Sequence, residues 1–240
     1  KYYPNYGLGK FGNAITMTGY PEMGYLDFRS DHVILGDMDG AGTSDLILLK
    51  ENGIHLYLNQ AGNSLGDPII LPLPEGEQYD DQDSITVTDI LGAGTNSIVY
   101  SKRHPAPRQW CYSPCGKAKP YMMNKSYNNM GGTESIEYVS SVHLLLKDRA
   151  SGTNWPIRAP FPTLVVDTTT VYDEISQTTY SSKNYYRYNY FDGIEREYRG
   201  FAYHAHMDTT DYSFDQQLDS PPSLSKAWMH VGHPNQDQLN

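Results

Sequence analysis

The chain has 240 residues, of which 38% are hydrophobic, and this is enough apolar material for one large domain or two small ones. Its 18 basic and 28 acidic side chains give a net charge of −10 without any basic run, which argues against nucleic acid or an anionic membrane as a partner. The longest apolar runs are too short to span a bilayer. The chain starts with neither a signal peptide nor an initiator methionine, so these residues leave the compartment open.

The first informative stretch is a glycine-rich acidic loop, residues 36–44, which leads into an apolar segment that begins at Asp45. Three carboxylates and two glycines define this acidic loop: Asp37, Asp39, Asp45, Gly40 and Gly42. Glycine takes a positive φ without a Cβ clash, so both glycines favour a tight turn. Calcium binds about six to eight oxygens, and aspartates in a short loop are one way to supply them.

Two interpretations of the acidic loop remain open. In the first, the three aspartates bind calcium, with the Thr43 carbonyl and water completing the ligands. In the second, the aspartates accept hydrogen bonds from turn amides as Asx motifs. Ala41 stands where calcium loops usually offer another oxygen. The second interpretation is therefore favoured, and no cofactor is expected.

The acidic loop has a second copy 52 residues further on, which begins at Asp89. Gly92 and Gly94 repeat the two glycines, but Leu91 and Ser97 replace two of the aspartates. The turn is thus expected to form there without calcium. In a third match, residues 5–12 resemble residues 59–66 at an offset of 54. A period of about 50 residues that contains several short strands is typical of a β-propeller blade.

The first complete repeat predicts four strands, separated by turn residues. They are His32–Leu35, Asp45–Leu49, Ile54–Asn59 and Pro68–Leu73. A propeller closes with about four to eight blades. Since the sequence contains two blades and a fragment, we expect it to come from a longer protein.

Cys111 and Cys115 lie four residues apart around a Ser-Pro turn. The spacing fits neither a zinc ribbon nor a redox pair. A small disulfide and two reduced cysteines both remain open, and the reduced state is favoured. Neither state suggests catalysis.

The composition changes near Lys117, where Asp/Gly loops give way to segments rich in Tyr, Thr, Ser and Val. We therefore predict two domains, residues 1–117 and 118–240. Asp192 and Gly193 form a turn between two tyrosine-rich strands and predict a hairpin. No helix is predicted. The expected strands of the second domain are Ser135–Ser140, Val142–Lys147, Thr163–Tyr172, Thr178–Tyr190 and Arg196–Met207.

Two side-chain patterns in the second domain have a chemical interpretation and a structural one. Glu195 and Glu197 share a predicted strand face with Arg199, and paired carboxylates can act in acid–base chemistry. Alternating charges on a strand more often form cross-strand pairs, so that interpretation is favoured. His204 and His206 also share a face, a spacing that zinc can use, but the sequence shows no third ligand.

The order of several motifs resembles the B component of bacterial insecticidal toxin complexes. These motifs are Ala118–Tyr121, Asn128–Gly131, Tyr138–Ser141, Pro160–Pro162, Tyr186–Tyr188, the segment from Asp192 to Phe201, and Pro221–Pro222. The most specific is the segment from Asp192 to Phe201. Its signature residues are Asp192, Gly193, Glu195, Arg196, Glu197, Arg199, Gly200 and Phe201.

The resemblance implies an all-β fold with propeller blades of the FG-GAP/VCBS type, followed by a tyrosine-rich antiparallel sheet that begins an RHS-like shell. It also implies a secreted assembly in which the B component docks on a pore-forming A component and, with a C component, encloses a toxic fragment. The resemblance further implies that the B component is not itself the toxic enzyme, so no enzyme activity is expected. The resemblance does not indicate which residues form the gate or the docking surface.

Catalytic residues are not predicted, because the chain has no nucleophile elbow, phosphate loop, HExxH motif or dinucleotide fingerprint. The leading hypothesis is a non-catalytic structural component of a toxin complex. The alternatives are a calcium-dependent, integrin-like adhesion module and a truncated remnant of the toxin component. The tyrosine-rich segment after Lys117 favours the toxin component over the adhesion module.

Overall fold

The structure, a computed structural model, describes residues 1–21, 32–116, 119–211 and 222–233. Contacts between residues divide the chain into two compact units. The first comprises Lys1–Leu91 and Thr95–Tyr121, and the second comprises Gly92–Gly94 and Met122–Asn240. The sequence-based boundary between Lys117 and Ala118 lies outside the described residues, as does Pro221 of the family motifs.

The first unit consists of short antiparallel strands. They are β1 (Val33–Gly36), β2 (Asp45–Lys50), β3 (Gly53–Tyr57), β4 (Asn59–Gln60), β5 (Ser64–Leu65), β6 (Ile69–Leu71), β7 (Ser84–Thr88), β8 (Ser97–Lys102) and β9 (Arg108–Tyr112). One sheet has the order β1-β2-β3-β6 and another the order β7-β8-β9, while β4 and β5 form a small hairpin. The strands predicted for the first repeat are thus present, with shifted ends.

The two larger sheets repeat the same design. Strand β8 lies 52 residues after β2, has the same length, and pairs in the same way with the strand before it. The third match is also present in the backbone, because Asn5 bridges Phe11 just as Asn59 pairs with Leu65. The offsets found in the sequence therefore correspond to repeated pairings.

Strand alternation gives the first sheet two apolar faces. Ile47 and Leu56 on one face join Ile98 and Tyr100 of the other sheet in one buried cluster. Leu48 and other side chains of the opposite face form a second cluster with Leu65. A strand buried on both faces is apolar throughout.

The second unit is a wide antiparallel sheet with one helix. Its elements are β10 (Lys125–Tyr127), β11 (Gly132–Ser140), α1 (Ser141–Ala150), β12 (Leu164–Asp173), β13 (Thr178–Asp192), β14 (Glu197–Asp211) and β15 (Ser223–Trp228). The six strands follow chain order across the sheet. The predicted all-β character is confirmed except for α1. The described helix, at ten residues, is too short to cross a membrane.

The prediction of a strand at Val142–Lys147 was wrong, because this segment lies in α1. Ser140 is the N-cap and accepts a hydrogen bond from the Val142 amide at 3.2 Å, and the helix ends before Gly152, whose φ is +87°. Ser141, Leu144 and Asp148 are its buried residues. Since only Leu144 of these three is apolar, the sequence shows no clear apolar period for a helix.

The predicted hairpin at Asp192 and Gly193 is confirmed. Strands β13 and β14 are 15 residues each, and Asp192 pairs with Glu197 across the turn. The register shifts once, because Phe191 pairs with Tyr198 whereas Tyr190 pairs with Gly200. This leaves Arg199 as the extra residue of a β-bulge, next to Gly200 with φ of +85°.

Candidate functional site

All six carboxylate oxygens of the acidic loop accept a hydrogen bond. Asp37 accepts from the Gly40 amide at 2.8 Å and the Gly42 amide at 3.0 Å. Asp39 accepts from the Ala41 amide at 3.0 Å and the Tyr121 hydroxyl at 3.1 Å. Asp45 accepts from the Met38 amide at 2.7 Å and the Asn59 amide at 2.8 Å.

Asp45 is the buried member of this set, with no exposed side-chain surface. Burial raises the pKa of its carboxyl, its two backbone hydrogen bonds oppose this rise, and the charges of Asp39 and Asp37 add to it. The Thr43 hydroxyl donates to the Asn59 carbonyl at 3.3 Å. The Thr43 side chain therefore serves the contact with the β4 strand.

Residues far along the chain complete the acidic loop, and no local sequence pattern points to them. The Asn96 amide donates to the Asp37 carbonyl at 2.8 Å, and the Cys115 thiol donates to the Met38 carbonyl at 3.1 Å. The hydrogen bond to Asp39 raises the pKa of Tyr121. Both cysteines are free thiols in the structure, and burial raises the pKa of Cys115.

One oxygen from each of Asp37, Asp39 and Asp45 can be chosen so that all three lie within 4.8 Å of one another. This spacing is compatible with a cation. However, each oxygen already has an N–H or O–H donor, and a cation would have to displace some of these donors. In the second copy, Ser97 stands in the place of Asp45 and shares a hydrogen bond of 2.8 Å with Ser113.

The four loop glycines all have positive φ. The values are +77° at Gly40, +85° at Gly42, +62° at Gly92 and +74° at Gly94. A Cβ at Gly42 would meet no atom within 4 Å, whereas a Cβ at Gly92 would lie 2.8 Å from a Val142 methyl. Backbone conformation alone therefore requires glycine at position 42.

The signature residues build the β13–β14 turn and its bulge. Asp192 accepts from the Ile194 amide at 3.0 Å and the Glu195 amide at 3.1 Å, and these bonds lower its pKa. Arg199 contacts the carboxylates of Asp192 at 3.1 Å and Glu197 at 3.6 Å.

The other signature residues have turn or packing roles. Arg196 has a φ of +57°, and the Phe201 ring lies 5.2 Å from that of Tyr186. Glu195 lies in the turn and is exposed, and it forms no ion pair with any residue that the structure describes. Glu197 begins β14 and is also exposed, so the two carboxylates do not share a strand face as predicted.

The sequence patterns did not predict a buried polar cluster around Asp148. Asp148 accepts from Trp155 Nε1 at 2.7 Å, Arg187 Nε at 2.7 Å and the Tyr185 hydroxyl. Burial alone would raise the pKa of Asp148, but the bonds from Arg187, Tyr185 and Trp155 outweigh desolvation and lower it. Burial and the bond to Asp148 raise the pKa of Tyr185 to about 12.

His204 and His206 share an amide partner on the neighbouring strand. His204 Nε2 lies 3.0 Å and His206 Nδ1 2.9 Å from Asn184 Oδ1. Burial lowers the pKa of His204, and the neighbouring His206 lowers it further. Asn184 was not singled out by its sequence context.

Repeated antiparallel sheets with turn-forming glycine loops, followed by a wide strand meander, define a mainly β protein with one short helix. The sequence model of the family described as "Insecticide toxin TcdB middle/N-terminal region" matches residues 60–232. The chain belongs to this family of TcB-type components of Tc toxins. No curated protein matches the sequence.

Solved structures of Tc toxins are similar over nearly the whole chain. A Photorhabdus luminescens Tc holotoxin pore with a TccC3 substitution is 33% identical over 99% of the chain, with a TM-score of 0.88. A TcdB2-TccC3 crystal structure is 31% identical over 99%, also with a TM-score of 0.88. TcdB2-TccC3 without the hypervariable C-terminal region is 32% identical over 99%, with a TM-score of 0.86. The chain covers 11–12% of the length of these relatives.

Proposed function

We propose that the chain is a non-catalytic scaffold segment of a TcB-type component. In this proposal, residues 1–117 form the terminal blades of a β-propeller and residues 118–240 begin the RHS-like shell. The observation that carries the first half is the repeat of sheet β1-β2-β3-β6 by sheet β7-β8-β9 at an offset of 52 residues. Radially repeated small sheets that share apolar faces are the design of a propeller.

The exposed side chain of Phe11 supports the presence of a further blade beside the first complete blade. Leu65 is 8% exposed and packs in the second apolar cluster, whereas Phe11, at the matching position of the preceding repeat, is 62% exposed. A preceding blade would cover Phe11 as the first complete blade covers Leu65. The turn-capping role proposed for Asp37, Asp39 and Asp45 agrees with a second loop that lacks two of these carboxylates.

The proposed partners are the other components of a toxin complex. Solved relatives are described as TcdB2-TccC3 complexes and as part of a Tc holotoxin pore. By this analogy, the protein that contains the chain is extracellular, binds a C-type component and docks on a pore-forming A component. The second unit then contributes to the enclosure of a toxic fragment.

Co-purification tests this assignment. The full-length protein should form a stable complex with the C-type component encoded beside it, and this complex should remain intact during size-exclusion chromatography. Hydrolase and transferase assays on the B component alone should show no activity. Absence of the complex, or catalysis by the B component alone, would contradict the proposal.

A calcium-dependent adhesion module is the second candidate, because the three loop carboxylates have a cation-compatible spacing. Under the first proposal, chelator should leave the melting temperature unchanged, since amide and hydroxyl donors already satisfy the oxygens. Calorimetric titration with calcium distinguishes the candidates. Sub-micromolar affinity together with a large fall in melting temperature after chelation would favour adhesion.

A further inference from the structure

A polar cleft lies at one end of the sheet β7-β8-β9, beside the loop of residues 103–107 that connects β8 to β9. Its volume is about 580 Å³, within the range of small-ligand sites. Ser84, Ser101 and Gln109 are register partners on the three strands, so they form a polar row across one face of the sheet, and all three line the cleft. Arg103, which directly follows β8, also lines it. Among the described residues of the lining, none is acidic.

Several hydrogen-bond donors of this cleft lack an acceptor within the protein. Gln109 Nε2 donates to Ser101 Oγ at 3.2 Å, which leaves the second amide N–H and the Ser101 O–H available. Neither the Ser84 hydroxyl nor the Arg103 guanidinium has a partner among the residues that the structure describes. Since a guanidinium donates five N–H groups and accepts none, the cleft offers donors and lacks acceptors.

The cleft carries a positive charge, although the net charge of the whole chain is −10. Lys102 Nζ lies 3.3 Å from Asp83 Oδ2. Arg108 contacts Glu77 through both terminal nitrogens, at 2.5 and 3.2 Å. Each of these cations therefore has a carboxylate partner. The charge of Arg103 is the one that no carboxylate in the described part of the chain balances.

The first sheet is apolar at the corresponding positions, so the repeated strand pairing does not require this polar row. Leu49 and Ile54, the matching pair on β2 and β3, are 5% and 0% exposed within the buried cluster that the two sheets share. The loop between β2 and β3 is also shorter, since it consists of residues 51–52 alone. Glu51 stands 52 residues before Arg103, so the charge at this position is reversed. The donors and the positive charge are thus particular to the second sheet.

We propose that this cleft binds carboxylate groups. The planar guanidinium of Arg103 donates to both oxygens of a carboxylate, and the hydroxyls of Ser84 and Ser101 donate to the same group. Glu77 holds the guanidinium of Arg108 in place before a ligand arrives. A carboxylate carries one negative charge, which matches the single unbalanced positive charge of the cleft. The carboxylate belongs either to a free organic acid or to an acidic side chain of another protein.

Calorimetric titrations of the full chain, in a chloride buffer of low ionic strength, test the proposal with two carboxylate probes. Succinate represents free acids, and a hexaglutamate peptide with blocked ends represents an acidic protein segment. Both should bind, and the tighter of the two identifies the source of the carboxylate. Inorganic phosphate, whose total charge is similar to that of succinate, should bind more weakly. Phosphate that binds more tightly than both probes would contradict the assignment to carboxylates.

Variants of the cleft separate specific binding from general attraction of anions. Arg103→Ala should weaken binding by about tenfold or more, because it removes charge-assisted hydrogen bonds. Arg103→Glu, which introduces the charge that Glu51 has in the first sheet, should abolish binding. Ser101→Ala leaves every charge in place and should still weaken binding by about two- to tenfold. Arg158→Ala removes an exposed arginine of the second unit and, as the matched control, should bind as the unchanged chain does.

Arg103 is exposed, so its variants should fold, and their melting temperatures check this. Absence of binding to both carboxylate probes at millimolar concentration would overturn the proposal. Equal affinities of the unchanged chain, Arg103→Ala and Ser101→Ala would do the same, since they would show that no donor of the cleft contacts the ligand.

Discussion

Asp148 is the buried charge that joins α1 to strand β13 and to the segment after the helix. Its carboxylate accepts hydrogen bonds from Trp155, Tyr185 and Arg187, and its side chain is 3% exposed. Asp148→Ala leaves the Arg187 charge unpaired and should reduce the free energy of unfolding by about 3–5 kcal/mol. Urea denaturation measures this loss. Asp67→Ala, at an exposed position, should change it by less than about 0.5 kcal/mol.

The same carboxylate predicts a pH dependence. Its pKa is lower in the folded chain than in the unfolded chain, so its contribution to stability is complete above the unfolded pKa. The contribution is then lost as the pH falls through the folded pKa. Between neutral and acid pH, the urea midpoint should therefore decrease more for the unchanged chain than for Asp148→Ala. Parallel pH profiles would contradict this role.

A comparison of Gly42 with Gly193 distinguishes the cost of backbone strain from the cost of steric contact. Gly42 has a φ of +85° and Gly193 has no positive φ, and a Cβ at either position meets no atom within 4 Å. Gly42→Ala should lower the free energy of unfolding by about 1–2 kcal/mol relative to Gly193→Ala. Replacing glycine by alanine reduces the conformational entropy of the unfolded chain equally in both variants. The difference between their free energies of unfolding therefore measures the backbone strain in the folded state. Equal stability of the two variants would mean that the acidic loop relaxes.

Helix α1 depends on its N-terminal cap. The Ser140 hydroxyl accepts from the Val142 amide and donates to the Gly92 carbonyl, and its side chain is buried. Ser140→Ala should cost about 1 kcal/mol, measured by thermal denaturation. Ser135→Ala on β11 is the comparison, because no side-chain hydrogen bond accompanies this serine in the described structure. A similar small loss in both variants would argue against the cap.

The long strands and the strands of the first repeat were predictable, whereas α1 and the strands β10 and β15 were not. Strands β12, β13 and β14 alternate over many residues and are bounded by turn residues, so local pattern is sufficient. Strands β10 and β15 have three and six residues, too few to show a clear alternation of apolar and polar side chains, and all residues of β15 are exposed. Helix α1 buries Asp148, and this buried charge is stabilised by Arg187, which lies on β13 far along the chain.

The candidate sites show the same limit. The aspartates and glycines of the acidic loop follow from local turn chemistry. Tyr121 and Asn96 reach this loop from 82 and 59 residues away, and no local pattern predicts such partners. Asn184 likewise gains its meaning only from the strand register that places it beside His206.

Open sheet edges should govern how the whole chain behaves in solution. Strand β15 is an edge of the described six-stranded sheet, and Leu224 and Trp228 on it are 56% and 55% exposed. Unpaired edges are templates for pairing with other chains. We expect concentration-dependent self-association in size-exclusion chromatography with light scattering.

A lysine at the edge tests the cause of this association. Leu224→Lys should reduce self-association, because lysine on an edge strand opposes pairing. Tyr180→Lys, at a 46% exposed position of the inner strand β13, adds the same single positive charge away from the edge and should have a smaller effect. A monomer at all concentrations, melting cooperatively, would contradict the expectation.

The length of the β13–β14 ribbon has a mechanical consequence. When the two strands are pulled in opposite directions along their axes, the backbone hydrogen bonds of 15-residue strands resist together, whereas peeling from the open end breaks them in sequence. The ribbon should therefore be stiff in tension and weak in peeling. Single-molecule pulling in these two geometries should give a clearly higher rupture force in shear, and equal forces would contradict this. A wall of such ribbons would withstand stretching from within and still open from one end.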